Sequence, residues 1–329
     1  MDKSEFYDFM LSVITDMERQ GRYSTAHVYH CALKSAVKYG GHSLHMEDLT
    51  PGWLQSYQEY LLRQSLLWNT ISTYMRMLRA VYNRAVDMGL APYIPRQFKN
   101  VFTGRYANHQ RALKKGEIKR VLLEDVVEEE ADRSSESEPA ASSDSRNLGW
   151  ARACLELMLR FHGIPFIDLA NLRKVDLRNG YLTIRRHKTG MPLSIAVDAA
   201  AMKLLRRYAS NDPSSPYLLN ILNGSLSGKE AYKDYQRALR MLNLQLYRLS
   251  RVCRLGKRLS SYAARHTWAS IAKSCGIAVE VISEALGHAS ITTTEGYLKQ
   301  FDNDEIEKAN KLSLIHISEP TRCVVISYA

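Results

Sequence analysis

The stretch from Ser260 to Tyr297, SSYAARHTWASIAKSCGIAVEVISEALGHASITTTEGY, reads as a helix, a glycine-marked turn, a second short helix and the start of a third. Ser260 and Ser261 are N-cap candidates before an apolar-periodic run. Gly276 ends that helix, and the run from Val279 to Leu286 stops at Gly287, a residue that tolerates the left-handed position after a helix. Three polar side chains stand at the joints: Arg265 inside the first helix, His288 just past the second, and Tyr297 one short helix later. A fixed positive charge, an imidazole and a phenol converging on one point suit an anion, and a phosphodiester is the natural one.

Read by their order and spacing, these residues resemble the C-terminal catalytic motif of the tyrosine recombinase (phage integrase) family. The matching pieces are Arg265-His266-Thr267, Leu286-Gly287-His288 and Tyr297. The spelling Tyr262-x-x-Arg265-His266-Thr267-Trp268-Ala269 is most similar to integrases of Bacteroides-type mobile elements. The resemblance implies a site-specific recombinase in which Tyr297 attacks a scissile phosphate, giving a 3′-phosphotyrosyl enzyme and a free 5′-hydroxyl. Arg265 then clamps non-bridging oxygens, and His288 donates to them or assists proton transfer at Tyr297. Tyr262 stands where many members have His, and His266 reads as a support of the fold.

Composition agrees with that direction. The chain has 329 residues, enough for two ordinary domains with ample core. Its formal net charge of +11 favours a polyanionic partner, nucleic acid before membrane. No run reaches the apolar length of a spanning helix, and MDKSEFYDFM is not a signal peptide. The five cysteines are scattered and odd in number, with no CxxC or His/Cys cluster, so neither a disulfide framework nor zinc is expected. No metal or other cofactor is expected. The expected location is the bacterial cytoplasm, on the nucleoid when DNA is bound.

Residues 1–100 read as all helix. Phe6, Phe9, Met10, Val13 and Met17 form one apolar stripe, and Gly21 ends the run. Ser24 and Thr25 open a second helix with Tyr29, Leu33, Ala36 and Val37 inside and Lys34 and Lys38 outside. Thr50-Pro51 starts a third. A fourth, Asn69 to Met88, buries Ile71, Met75, Leu78 and Val81 and shows Arg76 and Arg79. Four such helices make a small bundle. Its basic faces are candidate phosphate contacts, although any single Lys or Arg there is more simply a solvated residue. The bundle resembles the SAM-like core-binding domain of integrases, and no arm-binding domain is expected before it.

Residues 101–111, within a Pro- and Gly-containing stretch from Leu90, read as a linker. Residues 112–312 read as the catalytic domain. Inside it, Asp125 to Arg146 is acidic, Ser-rich and too poor in apolar residues to order itself, hence a disordered insertion. Within GIPFIDLANLRKVDL, Gly163 to Leu177, Asp168 resembles the acidic position of the family's first motif, but Pro165 occupies the place of its arginine. Arg160, His162 or Arg173 are the alternatives for that charge. Tyr181–Arg186 and Pro192–Val197 alternate as a hairpin whose tip, Lys188-Thr189-Gly190, resembles the family's hairpin lysine; that resemblance makes Lys188 the proton donor to the leaving 5′-oxygen. Arg254, Lys257 and Arg258, just before the Arg265 helix, are candidate DNA-backbone contacts.

The expected architecture is therefore mainly α with a small antiparallel sheet: a helical core-binding bundle and then a tyrosine-recombinase catalytic domain. A last helix is expected at Asp304–Lys311, and residues 313–329, which open with SLIHISEPTR, read as a non-native tail. The expected partners are double-stranded DNA and three further copies in a homotetramer, joined through the C-terminal segment, with accessory DNA-bending proteins as an option. Two other functions stay open: a DNA-binding family member impaired by the missing first arginine, and a type IB topoisomerase-like relaxing enzyme.

Overall fold

The structure, a computed structural model, describes residues 6–41, 44–105, 112–123, 147–288 and 290–297. The side chains of Leu123 and Tyr297 fall outside that description. So do the acidic insertion at 125–146, the helix expected at Asp304–Lys311 and the tail 313–329. Two compact units are present: residues 1–109 with 225–236, and residues 110–224 with 237–329.

The first unit is built on α1 (Phe6–Arg19), α2 (Tyr23–Gly40), α3 (Pro51–Arg63) and α4 (Trp68–Asp87). Phe6, Met10, Val13 and Met17 are buried along α1 as their spacing predicts, whereas Phe9 is only partly covered. The chain leaves α1 through Gly21 at φ 73°. Thr50 caps α3, its Oγ1 accepting from the Trp53 N–H at 3.2 Å, with Pro51 in the first turn. The second helix starts one residue before Ser24, and neither Ser24 nor Thr25 is its cap; Arg22 holds that position with no side-chain bond.

The segment after α4 departs from its reading as linker. Phe98 and Val101 are buried in the bundle core, and Phe102 packs edge-on against Trp68 at 5.3 Å. Gln97 donates to the Leu49 carbonyl at 2.5 Å, and Ser72 Oγ donates to the Gly104 carbonyl at 2.5 Å. Burying one large apolar side chain is worth roughly 1.5–3 kcal/mol, so these anchors hold the segment to the bundle through Gly104. What remains between the units, residues 106–111, lies outside the described residues.

In the second unit, α5 (Lys115–Leu123) and α6 (Leu148–Arg160) precede a short α7 (Phe166–Ala170). Next come strands β1 (Leu177–Arg178), β2 (Tyr181–Arg185) and β3 (Pro192–Ala196), then α8 (Ala199–Arg207), α9 (Gly228–Val252, of which residues 228–236 count with the first unit), α10 (Tyr262–Ser274), α11 (Val279–Ala285) and α12 (Ile291–Tyr297). The sheet is antiparallel in the order β1-β2-β3, one strand more than the expected hairpin. Asn179 and Gly180 supply the two left-handed residues, φ 49° and 77°, of the tight turn joining β1 to β2. Leu182, Ile184 and Ile195 face inward, while Tyr181, Thr183 and Arg185 face out. α10 packs on α6, and α12 touches both α10 and α11.

One expected cap does not form. Ser261 precedes α10, but its own backbone is helical (φ −52°, ψ −30°) and its side chain bonds no helix N–H; its N–H instead donates to Asn243 Oδ1 at 2.9 Å. Capping needs an extended residue at that place, so the serine cannot serve.

Candidate phosphate-binding site

Arg265 lies on the inward face of α10 and is 3% exposed. A buried guanidinium must place its donors. Nη1 donates to the Gly163 carbonyl at 3.1 Å and Nη2 to the Leu286 carbonyl at 2.7 Å. Nη2 also meets His288 Nε2 at 2.7 Å. Gly163 (φ 67°) permits this: a Cβ there would stand 3.0 Å from Arg265 Cα and 3.2 Å from Trp268 Cβ.

The tautomer of His288 is set by its partners. Arginine nitrogens only donate, so Nε2 accepts and the ring proton sits on Nδ1, which donates to Thr294 Oγ1 at 2.7 Å. That second bond ties α12 to the site. Thr294 is fully buried and stands three residues, one helical turn, before Tyr297. The imidazole is held neutral, its pKa pushed down to about 4, first by burial and then by the charges of Arg265, Arg186 and Lys188.

The depressed pKa makes stability depend on pH. An unfolded chain protonates His288 near its ordinary value of 6.5, whereas the folded one resists until about 4. Between those values the unfolded state binds the extra proton, so stability falls as pH drops through that window. Urea melts at pH 7 and pH 5 should show His288→Gln losing less stability than the parent over the interval. The difference between the two proteins isolates His288, because burial also lowers His30 and His162. Equal losses in both proteins would count against the neutral ring.

A side chain outside the sequence motif completes the cluster. Arg186, just past β2, is 5% exposed; its Nε donates to Asp168 Oδ2 at 2.5 Å and its Nη1 donates to the Leu286 carbonyl. That carbonyl is the one that also accepts from Arg265. Asp168 Oδ1 accepts the His187 N–H at 2.8 Å, and Thr189 Oγ1 donates to the Gly287 carbonyl at 3.3 Å. The loop His187-Lys188-Thr189-Gly190 is closed by Arg186 N–H to Met191 O at 2.9 Å, and so docks on the turn after α11. Gly287 (φ 63°) makes room, since a Cβ would come within 2.9 Å of Arg186 Cγ. A signal for Arg186 did exist: it shares the even parity of the buried Leu182 and Ile184.

Of the expected catalytic residues, Arg265 and His288 touch, and Lys188, exposed on the docked loop, acts on His288 through its charge. Tyr297 ends α12, with its side chain outside the description. Arg160, a candidate for the missing charge, is instead held by Glu156 at 2.8 Å and Asp198 at 2.6 Å. His162 lies against the Trp268 ring, centroids 5.5 Å apart, and Arg173 opens a 3-10 turn, its N–H donating to Asp176 at 2.8 Å. Pro165 is the N-cap residue of α7.

Of the candidate DNA contacts, Lys34, Lys38 and Arg79 lie exposed on the first unit, while Arg76 folds back onto Thr73 at 3.3 Å. Arg79 also borders a groove of about 490 Å³ with Tyr93, Arg96 and Lys99, three residues that the helical pattern did not select. Arg254 is exposed, and Arg258 lies over the Tyr247 ring at 5.2 Å. Lys257 has a different task from the one expected: it pairs with Glu117 at 2.9 Å and donates to the Ala112 carbonyl at 2.5 Å, tying down the start of α5. Among the described residues no helix is long and apolar enough to cross a membrane.

Comparison with known proteins bears on the family and the fold. Residues 5–101 match the phage integrase SAM-like domain, and residues 129–304 match the phage integrase family. The tyrosine recombinase XerA of Pyrococcus furiosus is 25% identical over 206 residues, 61% of this chain and 66% of that one. A tyrosine recombinase of Pseudothermotoga lettingae is 24% identical over 157 residues, 47% of this chain and 51% of its own. The chain thus spans between about half and two thirds of these relatives' lengths. Among solved structures, a lambda integrase dimer bound to a COC′ core site aligns with a TM-score of 0.61 at 15% identity, covering 91% of this chain and 80% of that one. The Tn1549 transposon integrase in complex with transposon right end DNA aligns at 0.59 and 13% identity, covering 95% and 100%. Both likenesses bear on the fold. Because the match at 129–304 takes in more than half of the sequence, the chain belongs to the phage integrase family.

Proposed function

We propose that this protein is a site-specific DNA recombinase that breaks and rejoins strands through a 3′-phosphotyrosyl intermediate. The observation that carries the reading is the contact of Arg265 with His288 beside a docked, lysine-bearing loop: the charges of Arg265, Arg186 and Lys188 all act on His288, and of the three only Arg186 is paired with the Asp168 carboxylate. Such an excess of positive charge suits a phosphodiester. In the first step the Tyr297 Oη–P bond forms as the P–O5′ bond breaks. The phenolic proton passes to His288 Nε2 as Arg265 Nη2 turns from that nitrogen to the phosphate, and the Lys188 ammonium gives its proton to the leaving 5′-oxygen. Attack by a 5′-hydroxyl of a partner duplex reverses the chemistry.

The finer parts of this reading are ours as well: membership among Bacteroides-type mobile-element integrases, from the Tyr262–Ala269 spelling, and a homotetramer on DNA joined by the C-terminal segments. Accessory DNA-bending proteins and residence on the bacterial nucleoid belong with them. Support for the assembly comes from solved relatives such as a lambda integrase tetramer bound to a Holliday junction. Arg79, Arg254 and Arg258 are proposed as backbone contacts that supply salt-dependent affinity.

The test starts by selecting a preferred duplex from random sequence with the full chain, then nicking it near the preferred site as a suicide substrate. The parent should form a covalent protein–DNA adduct, and Tyr297→Phe should form none while still binding the duplex. Duplex binding without any adduct from the parent would move the protein to the impaired, binding-only class. Relaxation of a plasmid lacking the selected site would favour a topoisomerase-like enzyme.

A further inference from the structure

We infer that Arg186, delivered by the β2–β3 loop, supplies the second guanidinium of the phosphate clamp in place of the arginine absent at Pro165. This rests on the recombinase reading above. A proline as the α7 N-cap has no charge to offer, and the cation must come from another segment. Arg186 and Arg265 both donate to the Leu286 carbonyl, so a single oxygen fixes two guanidinium groups side by side. Asp168 holds the Nε edge of Arg186 and the His187 N–H together, which sets the direction of the guanidinium and the seat of the loop at once. Gly287 leaves the space that its aliphatic stem occupies.

A purely structural ion pair explains these contacts poorly. Buried pairs add little net stability, and one placed beside a second buried arginine adds like-charge repulsion as well. A doubly charged clamp explains the repulsion, because an anionic phosphate relieves it. The arrangement also puts the clamp and the proton donor, Arg186 and Lys188, two residues apart on one loop. Docking that loop brings both to the phosphate, so neither acts when it is undocked.

The test uses the full chain and the selected, nicked duplex. Arg186→Ala should lower the adduct-forming rate on the order of 10²–10³-fold with duplex affinity kept. Added guanidinium chloride at sub-denaturing concentration should restore part of that rate, and Arg186→Lys should be intermediate because it keeps charge without the planar fork. A merely structural residue predicts no guanidinium rescue. Should Arg186→Ala not fold, the volume-keeping pair Asp168→Leu with Arg186→Met removes the ion pair whole, and the same rate loss is expected from it. Adduct formation at the parent rate by either folded variant overturns the inference and leaves the recombinase reading standing. Absence of an adduct from the parent protein itself would instead fail that reading.

Discussion

Asp168→Ala is expected to destabilise the second unit by about 3–5 kcal/mol, because it strips one partner from a buried ion pair and leaves the other charge behind. The side chains of Arg186 and Asp168 are only 5% and 2% exposed, so solvent cannot take over. The carboxylate also accepts the His187 N–H, which would lose its partner too. Exposed pairs behave differently: Arg63–Glu59, at 77% and 64% exposure, should contribute well under about 1 kcal/mol. Urea unfolding can be monitored by tryptophan fluorescence with Trp53 and Trp68 replaced by phenylalanine, so that Trp150 and Trp268 of the second unit report. The double variant Asp168→Leu, Arg186→Met should lose less than Asp168→Ala alone, since it removes both charges. A loss below about 1 kcal/mol for Asp168→Ala would mean that the pair is hydrated and that its geometry is of little consequence.

Much of this was legible because it is local. The apolar stripe of α1, the Thr50-Pro51 start of α3 and the Asn179-Gly180 turn each rest on a few neighbouring residues with one cheap conformation. The pairing of Arg265 with His288 was legible by their order and spacing within one stretch. What escaped is non-local. Arg186 meets Asp168 from 18 residues away and Leu286 from 100, and nothing in its neighbours says that a strand's inward parity ends in a charge rather than an apolar side chain. The stretch from Leu90 was misread for a related reason. Prolines and a glycine marked it as a connector, while Phe98, Val101 and Phe102 decided the outcome by finding the bundle core. Lys257 read as a DNA contact because it sits in a basic run, but Glu117, far away in sequence, claims it.

Arg265→Gln should slow adduct formation on the order of 10²–10³-fold, about 2.7–4 kcal/mol of transition-state stabilisation, while the selected duplex still binds. Glutamine keeps polarity and approximate length, and it can still donate to one carbonyl. It cannot donate to Gly163 O and Leu286 O together while meeting His288, as the guanidinium fork does. A second readout separates lost catalysis from a collapsed site. Arg265 is one of the charges that hold the imidazole below its usual range, behind burial in size. Removing that charge should move the His288 titration, read by NMR, upward from about 4 toward 6.5 without reaching it, because burial and the Arg186 and Lys188 charges remain. An imidazole titrating at 6.5 would mean that the variant has opened to water, and its slow chemistry would then say nothing about the clamp. If the midpoint rises only part of the way and the adduct still forms at the parent rate, Arg265 holds His288 and the Leu286 turn but does not touch the phosphate, and the positive charge that matters for cleavage resides on Arg186 and Lys188.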